Sequence, residues 1–556
     1  MATPIFELCD EFVNRSAELD PIFATMRGIA GTPTTAATDF SPDGVAARYD
    51  LVDDTLRRLD ALTALTPTTD DDRLAAVHLR ERLQVEHDAH EIGEPFRNLR
   101  APFGLLSSLR DSVDLMPRSD DEQWAHVAER LAARPAMLDG WRATLDVGRS
   151  RGLYAARRQA VEAAAQARRY AGSDDATPTF NTIIDGYGDG PLAAQLQAGA
   201  NAAHAAYLDL ARYLVDEYAP AAPETEGVGR ERYVVASRSA LGDTLDPVDS
   251  YEWGWDELYR LEREIEAEQN AIKPGADHAE IVALLDESSS VDSPEEYQRW
   301  LQEQHDAAIA RLDGVHFDLH PALRTVNAVL ASGSSSGAAY YTPPSEDLTR
   351  PGRTWWPVAA RQRFGVWKEL TTVFHEGVPG HHLQLGAARV AGDRLSRYSR
   401  ISGVSGHGEG WALYAERLAD ELGWFAELGT RLGMLHGSAL RATRVIVDIG
   451  LHLDLPMPER EVERYGSRWT FDVGERALAE RGRLAPHRIH PEMVRYAGWP
   501  AQATAYKLGE RAWVAARDEA MARQGAAFDL KAWHSAALAL GPIGLGGLAE
   551  MLRRAG

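Results

Sequence analysis

The sequence predicts a mainly α protein, and three observations carry that expectation. Apolar residues recur at helical spacing through most of the chain, strand signals are few, and these gather in one short Gly-, Pro- and aromatic-rich stretch. Residues 71–91, 123–149, 153–171, 192–218 and 255–272 each read as one amphipathic helix. A further helix opens at Ser293, with Pro294 at its first position and Glu296 completing a capping box. Tyr297, Trp300, Leu301, Ala308 and Leu312 then form its buried face. Residues 331–337, Ala-Ser-Gly-Ser-Ser-Ser-Gly, read as a flexible loop. The following 338–342 reads as a strand that Pro343 and Pro344 confine to a sheet edge, and Trp355-Trp356 as a second strand. The chain divides loosely into a helical half, 1–320, and a half carrying the chemistry, 321–556, expected to form one continuous fold.

Composition narrows the function. The net charge of −24, from 83 acidic and 59 basic residues, argues against a nucleic-acid partner. The single cysteine, Cys9, leaves no internal disulfide and no cysteine metal site. No apolar run is long enough to span a membrane. The opening MATPIFELCDEFVNRSAELDP lacks the basic start and apolar core of a signal peptide, so a cytoplasmic location is expected.

The densest chemistry lies in His375-Glu376-Gly-Val-Pro379-Gly380-His381-His382. Zinc hydrolases commonly place two histidines one helical turn apart, with a glutamate after the first acting as general base. Here the next histidines come six and seven residues on. On a straight helix a seven-residue step restores the face but climbs ~10.5 Å, too far for two Zn–N bonds of ~2 Å. Pro379 lacks an amide hydrogen and clashes with the carbonyl of residue 375, so with Gly380 beside it a kink or bulge is required. A bulge that absorbs two residues brings His381 back toward His375. His381 is favoured as the second ligand because its Gly-His dyad ends the motif, with His382 the alternative. The third ligand is expected from His407-Gly-Glu409-Gly-Trp-Ala-Leu-Tyr-Ala-Glu416, where Glu416 shares a helical face with Glu409 and is placed to orient a ligand. Two imidazoles and a carboxylate leave a fourth position open, the arrangement of a catalytic zinc site with one ion per chain.

These segments resemble a bacterial family known as domain of unknown function 885, whose hallmarks are His-Glu-Gly-x-Pro-Gly-His-His and Glu-Gly-Trp-Ala-x-Tyr-x-Glu. The resemblance extends through Tyr340-Tyr341-Thr-Pro-Pro344, Arg350-Pro-Gly352, Arg444 to His452 with Asp448, and Arg495-Tyr496 to Gly509. Ala501 departs from it, standing where the family usually carries glycine. That family is in turn similar to helical gluzincin peptidases: thimet oligopeptidase, angiotensin-converting enzyme and carboxypeptidase Taq. The likeness implies a large helical fold with a long cleft and a small β-sheet beside the zinc helix. It also implies an oxyanion-stabilising tyrosine, with Tyr506 the first choice and Tyr496 the second, and a weaker role for His490. Tyr340, Tyr341, His382, Asp448 and His452 join the candidates for supporting or substrate-binding roles.

The expected activity is a zinc metallopeptidase acting on short peptides, with Glu376 as general base. Strand addition at 338–342 would hold an extended peptide, and Arg350, Arg353, Arg361 or Arg363 would grip a substrate carboxylate. Two alternatives stay open: a zinc amidohydrolase acting on a non-peptide amide, and a non-catalytic helical binding protein with a degenerate metal site.

Overall fold

A computed structural model describes residues 3–29, 37–65, 69–173, 177–331, 338–345, 348–358 and 361–555. It is mainly helical with a few short strands, as the sequence predicts. The loop expected at 331–337 lies, from residue 332 onward, outside the described residues. Among the described residues no helix is long and apolar enough to cross a membrane.

Local chemistry sets the helix ends. Ser293 Oγ accepts the Glu296 amide at 3.1 Å and opens the helix Pro294–Leu312. The expected capping box is not closed, because the Glu296 carboxylate takes the amide of Asp292 instead, at 3.4 Å. The stretch 123–149 is two helices, Asp121–Ala132 and Arg134–Ser150. Pro135, with no amide hydrogen to continue the first helix, falls in the opening turn of the second. The stretch 153–171 becomes helical only from Arg157, and 192–218 changes from α to π winding at Leu214.

Contacts divide the chain into two units. The first comprises residues 1–235, 451–454 and 487–500, and the second 236–450, 455–486 and 501–556. The loose division at 320, drawn ahead of the strands and the histidine motif, lies within the second unit. Helices of the first unit bury Leu59, Leu79, Leu83, Val127, Leu131 and Leu145 completely.

The second unit holds the sheet and the histidine motif. Strand Gly352–Pro357 lies at the sheet centre, parallel to Val326–Ala331 on one side and antiparallel to Tyr340–Thr342 on the other. The Trp355-Trp356 segment is therefore the central strand, while the Tyr340-Tyr341 strand holds the edge expected for it. Ala328 and Trp356 of the sheet pack with Tyr297, Leu301, Phe364, Val366 and Val373, a core that fixes the start of the histidine-bearing helix. The outer edge of Val326–Ala331 is covered by side chains: Gln302 Nε2 donates to the Val326 carbonyl, and Gln302 Oε1 accepts the Ala328 amide.

Candidate metal centre

The helix Val366–Glu376 ends at the motif's glutamate. Gly377 donates its amide to the Val373 carbonyl, the Val378–Pro379 bond is cis, and a second helix starts at His381 and runs to Val390. The expected bulge is thus a full break between two helices. Two hydrogen bonds clasp the turn, from the Gly380 amide to the Phe374 carbonyl and from the His382 amide to the Gly377 carbonyl. Trp411 Nε1 donates to the Pro379 carbonyl at 2.8 Å, tying the turn to the helix Ser405–Glu421. A Cβ at Gly380 would stand 2.0 Å from the His375 carbonyl oxygen, so only glycine fits there.

The break brings the imidazoles of His375 and His381 together, with ring centres 4.9 Å apart and planes at 86°. The carboxylate of Glu409 faces both, its Oε2 lying 3.3 Å from His375 Nε2 and 3.4 Å from His381 Nε2. One donor atom from each of the three residues falls within 4.8 Å of the others. Donors ~2.0–2.1 Å from a tetrahedral zinc stand ~3.3 Å apart along each edge of the tetrahedron, so the two observed separations fit one ion of that size. They are longer than direct imidazolium–carboxylate hydrogen bonds, which run to about 2.9 Å. His381, rather than His382, is the histidine brought to this cluster.

Glu416 backs the cluster. Its Oε1 accepts from His375 Nδ1 at 2.8 Å, and its Oε2 accepts from the Thr371 hydroxyl. With Nδ1 held by Glu416, the Nε2 of His375 is the ring atom that faces Glu409 and His381. Burial opposes charge on Glu416, but Arg441, His375 and Thr371 together hold its pKa below the usual carboxylate range. For His375, burial is outweighed by the neighbouring carboxylates of Glu409 and Glu416, and its pKa rises to about 9. Burial likewise opposes charge on Glu409, yet the two imidazoles pull it well below its ordinary value. Glu376 follows His375 directly and is 7% exposed; burial pushes its pKa up against the pull of both histidines.

The Glu409 helix is placed by glycine. Gly406 and Gly410 lie against Gly509 of the helix Ala505–Gln524, where a Cβ on Gly410 would stand 2.4 Å from the Gly509 backbone. Tyr506, in the first turn of that helix, is half-buried with the Arg444 guanidinium 4.9 Å from its ring centre.

The remaining candidates have other settings. His382 is fully buried, and its Nε2 bonds the Leu323 carbonyl, which can only accept. Its Nδ1 must then accept from the Tyr341 hydroxyl at 2.9 Å, so this pair moors the edge strand to the His381 helix. Burial brings the His382 pKa down to about 4. Tyr340 is 41% exposed and stacks on Trp355. Asp448 accepts the Ala501 amide at 2.9 Å, securing a residue whose φ is +64°. In the first unit, His452 Nε2 donates to the Tyr496 carbonyl, the Tyr496 hydroxyl donates to Glu492, and exposed His490 stands 3.3 Å from Glu162. The arginines proposed as carboxylate grips are engaged locally. Arg350 donates to the carbonyls of Pro343 and Pro351, Arg361 to Pro357, and Arg363 to Asp286 and Glu287; Arg353 lies over Trp355. Sequence reasoning missed Thr371 and Arg441. Thr371 stands one helical turn before His375, a spacing that could have flagged it, whereas nothing in the sequence marks Arg441.

The model of a bacterial protein family of unknown function, DUF885, matches residues 21–552. No curated protein matches the chain. Among solved structures, one titled "putative lipoprotein" from Colwellia psychrerythraea aligns at TM-score 0.84 with 19% identity, covering 99% of this chain and 98% of that one. Another from Shewanella oneidensis, titled a "putative lipoprotein of unknown function", aligns at 0.76 with 16% identity, covering 99% and 100%. At such identities the likeness is one of fold.

Proposed function

Because this chain belongs to the DUF885 family, whose description assigns no function, we propose from its own geometry that it is a zinc-dependent metallopeptidase of gluzincin type. One observation carries the reading: His375 Nε2 and His381 Nε2 stand 3.3 and 3.4 Å from a shared Glu409 oxygen, with Glu376 next in sequence to the first ligand. A zinc ion held by these three donors would supply Lewis-acid polarisation of a carbonyl and acidify an attacking water. Glu376 takes the proton from that water as its oxygen bonds to the carbonyl carbon. When the carbon–nitrogen bond breaks, the same carboxyl returns the proton to the leaving amine. Its buried setting and raised pKa suit both halves of the transfer. Tyr506 is assigned the hydrogen bond to the developing oxyanion, because its helix crosses the Glu409 helix at the Gly410–Gly509 approach. Among the described residues the strand Tyr340–Thr342 pairs on one side only, with the central strand, which favours an extended peptide as substrate. A cytoplasmic location belongs to the same proposal and is checked by fractionation; the lipoprotein titles describe the two neighbours themselves.

Metal analysis of gently purified protein, with a panel of short peptides and acyl-amino compounds, tests the reading. One zinc per chain, lost in His375→Ala and Glu409→Ala, is expected, with peptide hydrolysis reduced by about 10³-fold or more in Glu376→Gln. Stoichiometric zinc in both ligand variants would move the site. Full hydrolysis by Glu376→Gln would end the general-base assignment.

A further inference from the structure

Arg441 differs from Arg350, Arg361 and Arg363, which are spent on nearby carbonyls. It lies on the helix Thr430–Leu453, and its side chain is 16% exposed. Its Nη2 is 3.6 Å from Glu416 Oε1, an ion pair too long to be a hydrogen bond. Glu416 already accepts from His375 and from Thr371, so it balances the arginine's charge without receiving its N–H groups. Among the described residues the buried Nε–H donates to no acceptor. Gly437, one turn earlier on the same helix, makes the room: a Cβ there would lie 2.6 Å from Nη1. A planar guanidinium is thus held beside the carboxylate that orients His375, with its buried Nε–H unspent. Native proteins seldom leave a buried donor unsatisfied, and the natural complement of a guanidinium is a carboxylate or similar anion.

We propose that Arg441 is the anion-recognition residue of this centre, taking a small carboxylate-like anion on its guanidinium fork. The source favoured is the terminal carboxylate of a short peptide, which would bias the centre toward cleavage near a free C-terminus. The same chemistry would also accept a free inorganic anion. The substrate half of the proposal rests on the peptidase reading, while the anion site itself does not.

The test has two arms. In the kinetic arm, zinc-loaded protein is given trialanine and trialanine amide. The parent is expected to prefer the acid by about tenfold or more in kcat/KM, the range of one charge-assisted hydrogen bond. Arg441→Met should bring that ratio close to one, chiefly through KM, and Arg441→Lys should recover part of it. In the binding arm, the melting temperature of metal-free protein is followed with N-acetylalanine, its amide, and sodium chloride. N-acetylalanine should raise it in the parent and not in Arg441→Met, while the amide should do nothing. An Arg441-dependent shift with chloride, together with equal cleavage of both tripeptides, supports the site and assigns it to a free anion. No Arg441-dependent shift with any of these probes overturns the proposal. If the parent cleaves neither tripeptide, the peptidase reading has failed on these substrates and the binding arm alone decides the anion site. Should Arg441→Met not fold, Arg441→Lys carries both arms, because it keeps the charge and loses the fork.

Discussion

Glu409 and Glu416 sit seven residues apart on one helix, yet their surroundings give them different work. Glu409 faces two imidazoles through a single oxygen, with its side chain 24% exposed. Glu416 is 3% exposed, and both its oxygens are occupied by His375 and Thr371, with Arg441 alongside. The first is placed to share a cation and the second to hold a ligand still. His381 has no such support, since its Nδ1 is buried without a partner. Replacing Glu416 with glutamine keeps an acceptor for His375 Nδ1 but removes the charge that makes the imidazole more basic. Zinc affinity in Glu416→Gln should fall by about 10–100-fold, as competition against a chelator would measure, with hydrolysis largely recovered at saturating zinc. An unchanged affinity would show that Glu416 does not set the state of His375.

At the scale of elements, the site depends on how one helix stops. The turn at 377–380 lets His375 and His381, six residues apart, meet, and Gly380 is the residue that permits it, because a Cβ there would press on the carbonyl oxygens of both His375 and Phe374. Backbone cannot yield as a flexible side chain can. Gly380→Ala should therefore destabilise the fold by about 3 kcal/mol or more and release zinc, seen together in thermal melting and metal analysis. Gly403→Ala is the control: a Cβ there meets nothing within 4 Å, and stability should stay within about 0.5 kcal/mol. Wild-type zinc content and melting in Gly380→Ala would mean the turn has another solution. This element was half legible in the sequence. Pro379 and Gly380 demanded a departure from a straight helix, but a bulge and a complete break look alike in a string of residues. The candidate ligands were readable because histidine is scarce, 18 in 556 residues, so a His-Glu pair followed so soon by two more histidines carries meaning. Arg441 was not, because its approach to Glu416 depends on how two helices pack and on the bare backbone at Gly437. Proximity in sequence misled in the other direction: Arg350, Arg361 and Arg363 flank the motif but are spent on nearby carbonyls. The parallel pairing of Val326–Ala331 with Gly352–Pro357 was equally invisible, since strand order is settled by tertiary packing.

For the whole molecule, the histidines away from the centre decide how folding responds to acid. His305, His452 and His534 are at most 1% exposed. His305 bonds the Thr354 hydroxyl, His452 the Tyr496 carbonyl, and His534 both the Tyr414 hydroxyl and the His316 carbonyl. Burial lowers their pKa values to about 3, about 4 and about 3 respectively. An unfolded histidine takes its proton near pH 6.5, so as pH falls below that value the unfolded chain binds protons the folded chain refuses. Their contribution is therefore complete above about pH 6.5 and is lost progressively toward pH 3–4, by at most ~1.4 kcal/mol per histidine per pH unit. Between pH 7 and 5 ordinary carboxylates stay ionised, so relief of the −24 surface charge contributes little in that window. The melting temperature of chelator-treated protein should drop by about 5 °C or more over this range. In His534→Gln the amide can still donate to the His316 carbonyl and accept from Tyr414 without titrating, and the slope should become measurably shallower. A melting temperature flat from pH 7 to 5 would mean that the folded protein accommodates these imidazoles as cations, and the neutral hydrogen bonds assigned to them would be wrong.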